Sequence, residues 1–305
     1  MKCEVRSAEC GMWSSTFNVQ RSMFCRPVSL SSFLPFIACM LALVFAVGAA
    51  IAEDAPTTER MSGGWINWDR QVIKAVGHGI LPGDAENQAQ AKLMARQAAI
   101  ADAYRNMAAV TKGVRVTGQT YVKNFMTESD EVRLGVEGFI RGAEIVSDRQ
   151  LEDCSYEIIL QAPLTGDDGL FSNLESEFLP PDSEAAGPLG DTTGLLIDAR
   201  GLGVQPAMSP KVYDEDGNEV YGTVHCSADY AIETGIAGYP RSMDQALKSD
   251  RLGKHPLIVK ALSKGPKFAT DVVVSNADAA RIKSADASSH FLPRCRVAIL
   301  LGPVK

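Results

Sequence analysis

The chain has 305 residues, with 30 Lys and Arg against 37 Asp and Glu, a formal net charge of −7. That acidic balance argues against nucleic acid as a partner, because phosphate binding needs clustered positive charge. Once a leader is set aside, the remaining length suits two domains of ordinary size.

From the N-terminus, residues 30–52 read LSSFLPFIACMLALVFAVGAAIA, with Arg21 and Arg26 before them and Glu53-Asp54 directly after. A basic flank, an apolar core and an Ala50-Ile51-Ala52 end are the marks of a signal peptide. We read residues 1–52 as that signal and 53–62 as a flexible N-terminus. An uncleaved anchor is the alternative, since an apolar run of about twenty residues can span a bilayer as a helix. Small residues at the exit (Gly48, Ala49, Ala50, Ala52) favour cleavage. Cys39 lies in the middle of the apolar run rather than at its end, which argues against lipidation there. Met23 offers a second start and a leader of ordinary length. The expected location is periplasmic or secreted, with inner-membrane anchoring as the alternative and the leader as the only membrane contact. Cys154, Cys226 and Cys295 remain after the leader. An odd number allows one disulfide and one thiol, or three buried thiols, and no C-x-x-C spacing supports a redox or zinc site.

Residues 63–164 read as a first domain. Trp65-Ile66-Asn67-Trp68 leads into Val72–Gly77, a short strand signal, and Asp84 suits a helix N-cap. A helix then runs from Ala85 to about Thr111, with Leu93, Ile100 and Met107 every seven residues and Ala89, Ala103 and Val110 beside them. Alanine dominates that face, so the helix can lie close to a sheet. Alternation at Val114, Val116, Thr120 and Val122, and again at Val132, Leu134 and Val136, predicts strands. Phe139-Ile140 and Ile145-Val146 extend the second, with Gly138 and Gly142 as bulge positions. Tyr156–Leu160 completes the set. The fold class expected is α+β: two small domains, the first a long Ala-rich helix packed on a three- to four-stranded antiparallel sheet.

The helix AKLMARQAAIADAYRNMAAVTKGVRV, with VRLGVEGFIRGAEIV and its trailing YEIILQAPL, resembles the LPP20 lipoprotein family and the related N-terminal domain of the FlgT flagellar assembly protein. The likeness covers about residues 72–164. It implies a bacterial envelope protein with a module used for assembly or surface interaction, flagellar assembly included, and no catalysis. The chain departs from the family in having no cysteine near Ala52 to carry a lipid.

Residues 165–193, with Asp167-Asp168-Gly169 and Pro180-Pro181-Asp182, read as a linker in which Leu170, Phe171, Leu174 and Phe178 form a turn or two. A second α+β domain follows, 194–305. Gly194–Gly201 is a buried-strand run, and Lys211–Tyr213 and Glu219–Gly222 flank a hairpin turn. Met243–Leu252 is a short helix. Leu257–Leu262 and Thr270–Val274 are strands, Ser275 or Asn276 caps a helix to about Ser284, and Arg294–Leu301 closes the chain.

Chemical signals are sparse. Asp214, Asp216 and Asn218 alternate as in a calcium loop, but glycine stands fourth and His225 twelfth, so a hairpin turn is the better reading. His78, His225, His255 and His290 have no metal-ligand spacing. Gly201 and Gly203 are a lone G-x-G, and neither a G-x-S-x-G nor a P-loop occurs. Catalytic, metal and cofactor residues are therefore expected to be none. Candidate contacts are four. Asp198 and Arg200 at a strand end suit a carboxylate-bearing ligand such as a peptidoglycan stem peptide, or else Arg200 pairs with a neighbouring acid. Trp65 and Trp68 suit partner anchors or, equally, caps on the sheet core. The function expected is a non-catalytic structural or binding module of the cell envelope, with envelope proteins or peptidoglycan-associated components as partners. The alternative is a ligand-binding or hydrolytic second domain.

Overall fold

Where strand meets helix in the first half, the strand carries Gly77 and Gly79 and the helix carries Ala95, Ala99 and Ala103, all three buried. The computed structural model describes residues 57–83, 85, 87–174, 179 and 190–303. The signal peptide, Asp84 and Phe178 lie outside the described residues.

Five antiparallel strands form the first sheet in the order β1-β2-β3-β5-β4: β1 Thr58–Met61, β2 Gly64–Asn67, β3 Val72–Gly79, β4 Glu144–Gln150 and β5 Tyr156–Pro163. Thr58–Met61, within the stretch expected to be flexible, pairs with β2 along its whole length. Helix α1, Gln88–Lys112, crosses the sheet. It starts three residues later than expected, at an Asn87 cap whose side chain accepts from Gln90 N at 2.8 Å. Its buried stripe is Ala91, Ala95, Ala99, Ala103 and Met107 at four-residue spacing, while Leu93 is 65 % exposed. Opposite Gly77 and Gly79 only methyl side chains fit under the helix, so the larger Leu93 turns away.

Residues 114–141 depart from the expected strands. Val122–Glu128 is α2 and Asp130–Arg141 is α3. Ser129 caps α3 by accepting from Val132 N, and Asp130 and Glu131 complement the positive end of the helix. Val132, Val136, Phe139 and Ile140 are buried while Leu134 is 60 % exposed. The burial therefore follows the helical period rather than the strand period. Only Ile145-Val146, beyond Gly142, lies in a strand, β4.

The second sheet has six strands in the order β11-β6-β9-β10-β7-β8: β6 Gly194–Asp198, β7 Val212–Tyr213, β8 Glu219–Tyr221, β9 Pro256–Lys264, β10 Val272–Val274 and β11 Val297–Leu300. Strands β11, β6 and β9 run parallel, which requires both faces to be covered. Leu195 and Ile197 of β6 face the main core. Leu196 faces a smaller cluster with Ala246, Leu252, Ala298 and Leu300. Helices α4 (Ala228–Thr234), α5 (Met243–Leu247) and α6 (Asn276–Ser289) complete the half, α6 being capped by Ser275. The β7–β8 turn is tied by Asp214, whose carboxylate accepts from Asp216 N, Asn218 N and Asn218 Nδ2 at 2.8–3.1 Å.

The molecule is thus α+β, a long helix on an antiparallel sheet followed by a second sheet with its own helices. Between β5 and β6, Leu170, Phe171 and Leu174 are buried, so the described start of that connection belongs to the core. One apolar cluster runs from Ile66 and Trp68 through Leu170 and Phe171 to Leu195 and Tyr239, joining the two sheets.

Candidate functional site

The turn from β2 to β3 is built by Asn67, whose Oδ1 accepts from Asp69 N at 3.1 Å and Arg70 N at 3.0 Å. Such a side-chain cap replaces backbone partners that a sharp turn cannot supply. Gln71 closes it, with Nε2 donating to Trp68 O and φ at 52°. The turn faces residues 238–251. There Gly238 adds to the edge of β11, donating to Val297 O and accepting from Ile299 N.

Trp68 is the hinge of this seam. It is 1 % exposed, stands edge-on to Tyr239 with ring centroids 5.8 Å apart, and donates from Nε1 to Glu59 Oε2. Tyr239 donates to Ala207 O at 2.7 Å and accepts from Ala207 N, and burial pushes its phenol well above the ordinary range. Trp68 therefore serves as packing between the two sheets. An anchor for an external partner would need to be reachable, and this ring is not. Trp65 is half-buried on β2, between Arg60 and Lys74 of the adjacent strands.

Above Trp68 opens a cleft of about 750 Å³, lined by Asp69, Arg70 and Gln71 on one side and by Asp244, Gln245, Lys248, Ser249 and Arg251 on the other. Gln245 bridges the walls. Its Nε2 donates to Asp69 Oδ2 at 2.5 Å and its Oε1 accepts from Arg241 N at 2.8 Å. Lys248 pairs with Asp244 at 2.5 Å along one turn of α5. Arg251 forms the floor, its guanidinium donating to the carbonyls of Thr234, Gly235 and Cys295, and burial draws it below the ordinary arginine range.

Burial also raises the Asp69 carboxyl, against the Gln245 amide, the Thr57 N–H and the charges of Arg241 and Arg70. A carboxyl raised in the folded state holds its proton longer there than in the unfolded chain. Stability therefore falls as pH rises from the ordinary value of 3.8 through the folded value, and the cost is complete at neutral pH. Asp69→Asn, which keeps the acceptor for Gln245 and removes the charge, is expected to raise the urea midpoint at pH 7. The gap from wild type should close as the pH drops through the carboxylate range. A variant less stable than wild type at pH 7 would mean that the charge itself is needed.

Asp198 and Arg200 lie away from the cleft and take each other as partners. Arg200 Nε donates to Asp198 Oδ1 at 2.8 Å and Nη2 to Oδ2 at 2.6 Å, and this fork holds the Asp198 carboxyl below its usual range. The guanidinium fork that a ligand carboxylate would need is already filled. Among the described residues no group of His, Cys, Asp and Glu side chains is arranged to hold a metal. The cleft residues are 180 positions apart in places and of common polar types, so no spacing in the sequence marks them.

Residues 194–303 match a family described as the second domain of Treponema pallidum Tp0624. The match takes in the whole second sheet with α4, α5 and α6, about a third of the chain. No match to the LPP20 or FlgT families is found on residues 72–164. The resemblance drawn from those residues is corrected accordingly, and the support it lent to a flagellar setting goes with it. In the structure one of its supporting stretches, VRLGVEGFIRG, is a helix rather than the strand assumed. No curated protein matches the chain. Among the described residues no helix is long and apolar enough to cross a membrane.

Proposed function

We propose that this is an exported cell-envelope protein acting as a non-catalytic binding module, and that it takes its ligand in the cleft between the two sheets. One observation carries the reading: opposite walls of the cleft present carboxylates (Asp69, Asp244), cations (Arg70, Lys248) and amides (Gln71, Gln245). Both charges and amides within one cleft suit a short zwitterionic peptide, the chemistry of a peptidoglycan stem peptide. The volume lies in the range of small-ligand sites. None of the described histidines lines the cleft, and Ser249 Oγ there accepts from Arg251 N at 3.3 Å, which favours binding over acyl transfer. The apolar leader at residues 30–52 is the support for export.

Calorimetric titration of the chain from Glu53 onward with soluble stem peptides tests it. Saturable binding is expected, weakened about tenfold or more by Gln245→Ala, which removes the bridge between the walls and about 1.4 kcal/mol of interaction. Absence of heat at millimolar peptide, in a protein that folds, would leave the module without this ligand class.

A further inference from the structure

Cys226 follows a short 3-10 turn at Thr223–His225, and Cys295 closes a tight turn in which its N–H donates to Leu292 O. Ser227 N donates to Pro293 O at 2.9 Å, so the two chain segments are held side by side. Both side chains are fully buried, and each lies close enough to the other to shift its acidity. Cys154 is elsewhere, half-exposed at the β4–β5 turn of the other sheet.

We infer that Cys226 and Cys295 are a disulfide-forming pair, closed in the exported protein by exchange with an external disulfide, and that Cys154 stays a thiol. The inference leans on the export proposed above only for the compartment in which closure happens. In the exchange one thiolate attacks a sulfur of the oxidant, forming a mixed disulfide and releasing one thiol. The second cysteine thiolate then displaces the other thiol. Two electrons and two protons leave the pair, and the oxidant departs as two thiols. Both thiols are buried in the folded chain, so the exchange takes place before the two segments close over them. Closure would bind the last strand to the segment leading into α4, around a ring of about 70 residues, and long rings stabilise most.

The test is refolding of the chain from Glu53 with reduced and oxidised glutathione, followed by denaturation, alkylation and peptide mapping. Cys154→Ser is run in parallel to remove the competing thiol. The expected product loses the mass of two hydrogens, joins the peptides of Cys226 and Cys295, and is alkylated only at Cys154. Its Tm should fall by about 10 °C on reduction. Alkylation of all three cysteines after refolding, or a link through Cys154, would overturn the inference wherever the protein resides. The same mapping on protein taken from its native cells separates the two readings. A closed pair there supports both. A pair that closes in the tube yet is reduced in the cell supports the pairing and counts against export.

Discussion

Replacing Gly77 by valine is expected to cost about 4 kcal/mol or more of folding stability. Gly77 faces α1 where strand and helix backbones come close. A Cβ there would run into the backbone of Ala99 and Ala103, with Ala103 Cα at 2.6 Å. Gly79 repeats the arrangement one pleat along, with Ala99 N at 2.7 Å. The atoms in the way are main chain, so no rotamer change relieves the overlap. The 25-residue helix would have to lift from the sheet and lose the contacts of Ala95, Ala99 and Ala103 together. Ala103→Gly should therefore fail to rescue Gly77→Val, whereas a side-chain clash would be rescued. Gly138 supplies the contrast: it is helical, exposed and has nothing within reach of a Cβ. Gly138→Ala should stabilise by roughly 0.5–1 kcal/mol through helix propensity. Urea unfolding of the three variants measures all of this. A Gly77→Val protein within about 1 kcal/mol of wild type would show that the helix can slide.

The same contact shows what could be read ahead of the structure. The alanines that dominate the face of the expected helix announced that it lies close on a sheet. What periodicity missed was which side faced in, because Leu93, Ile100 and Met107 fall nearly in line at seven-residue spacing while the true stripe is at four. Residues 132–136 failed for a related reason. Val, Leu and Val at every second position fit a strand, but the cap at Ser129 and the wider set Val132, Val136, Phe139 and Ile140 fit a helix. In a segment that short, the longer period has too few repeats to outvote the shorter. The second half was easier, since its turn at Asp214–Asn218 and its cap at Ser275 are local devices that need no distant partner.

The cleft was not legible, because it exists only when the β2–β3 turn meets residues 238–251. Trp68 stood out as an aromatic, yet the sequence around it cannot tell a core ring from an exposed one. Asp69 needs Gln245, which is distant in the chain and ordinary in type. Asp198 and Arg200 were visible as neighbours on a strand end, and that nearness is what lets each satisfy the other.

Arg251→Ala is expected to cost about 3–5 kcal/mol, the second large effect, although the sequence places it without distinction near the end of a short helix, Met243–Leu252. Its guanidinium donates to carbonyls from two places: Thr234 and Gly235 where α4 ends, and Cys295 where the chain turns into β11. Gly235 and Cys295 both lie in the left-handed region, at φ 77° and 53°, so neither turn offers its carbonyl an ordinary helical or strand partner. Removing the side chain takes this donor from all three carbonyls and leaves Gly235 O only the Thr234 hydroxyl at 3.4 Å, a penalty that falls on each of them separately. Arg251→Met should do little better than alanine, since it fills the space and donates nothing. Arg251→Lys should recover less than half the loss, because a single ammonium group lacks the planar fork that reaches both turns. Chemical unfolding of the three variants, alongside peptide titration of whichever remain folded, separates structure from recognition. A folded Arg251→Ala that loses less than about 1 kcal/mol but no longer binds peptide would assign the arginine to the ligand. Equal losses in stability for alanine and methionine would assign it to the junction of α4, β11 and the cleft floor.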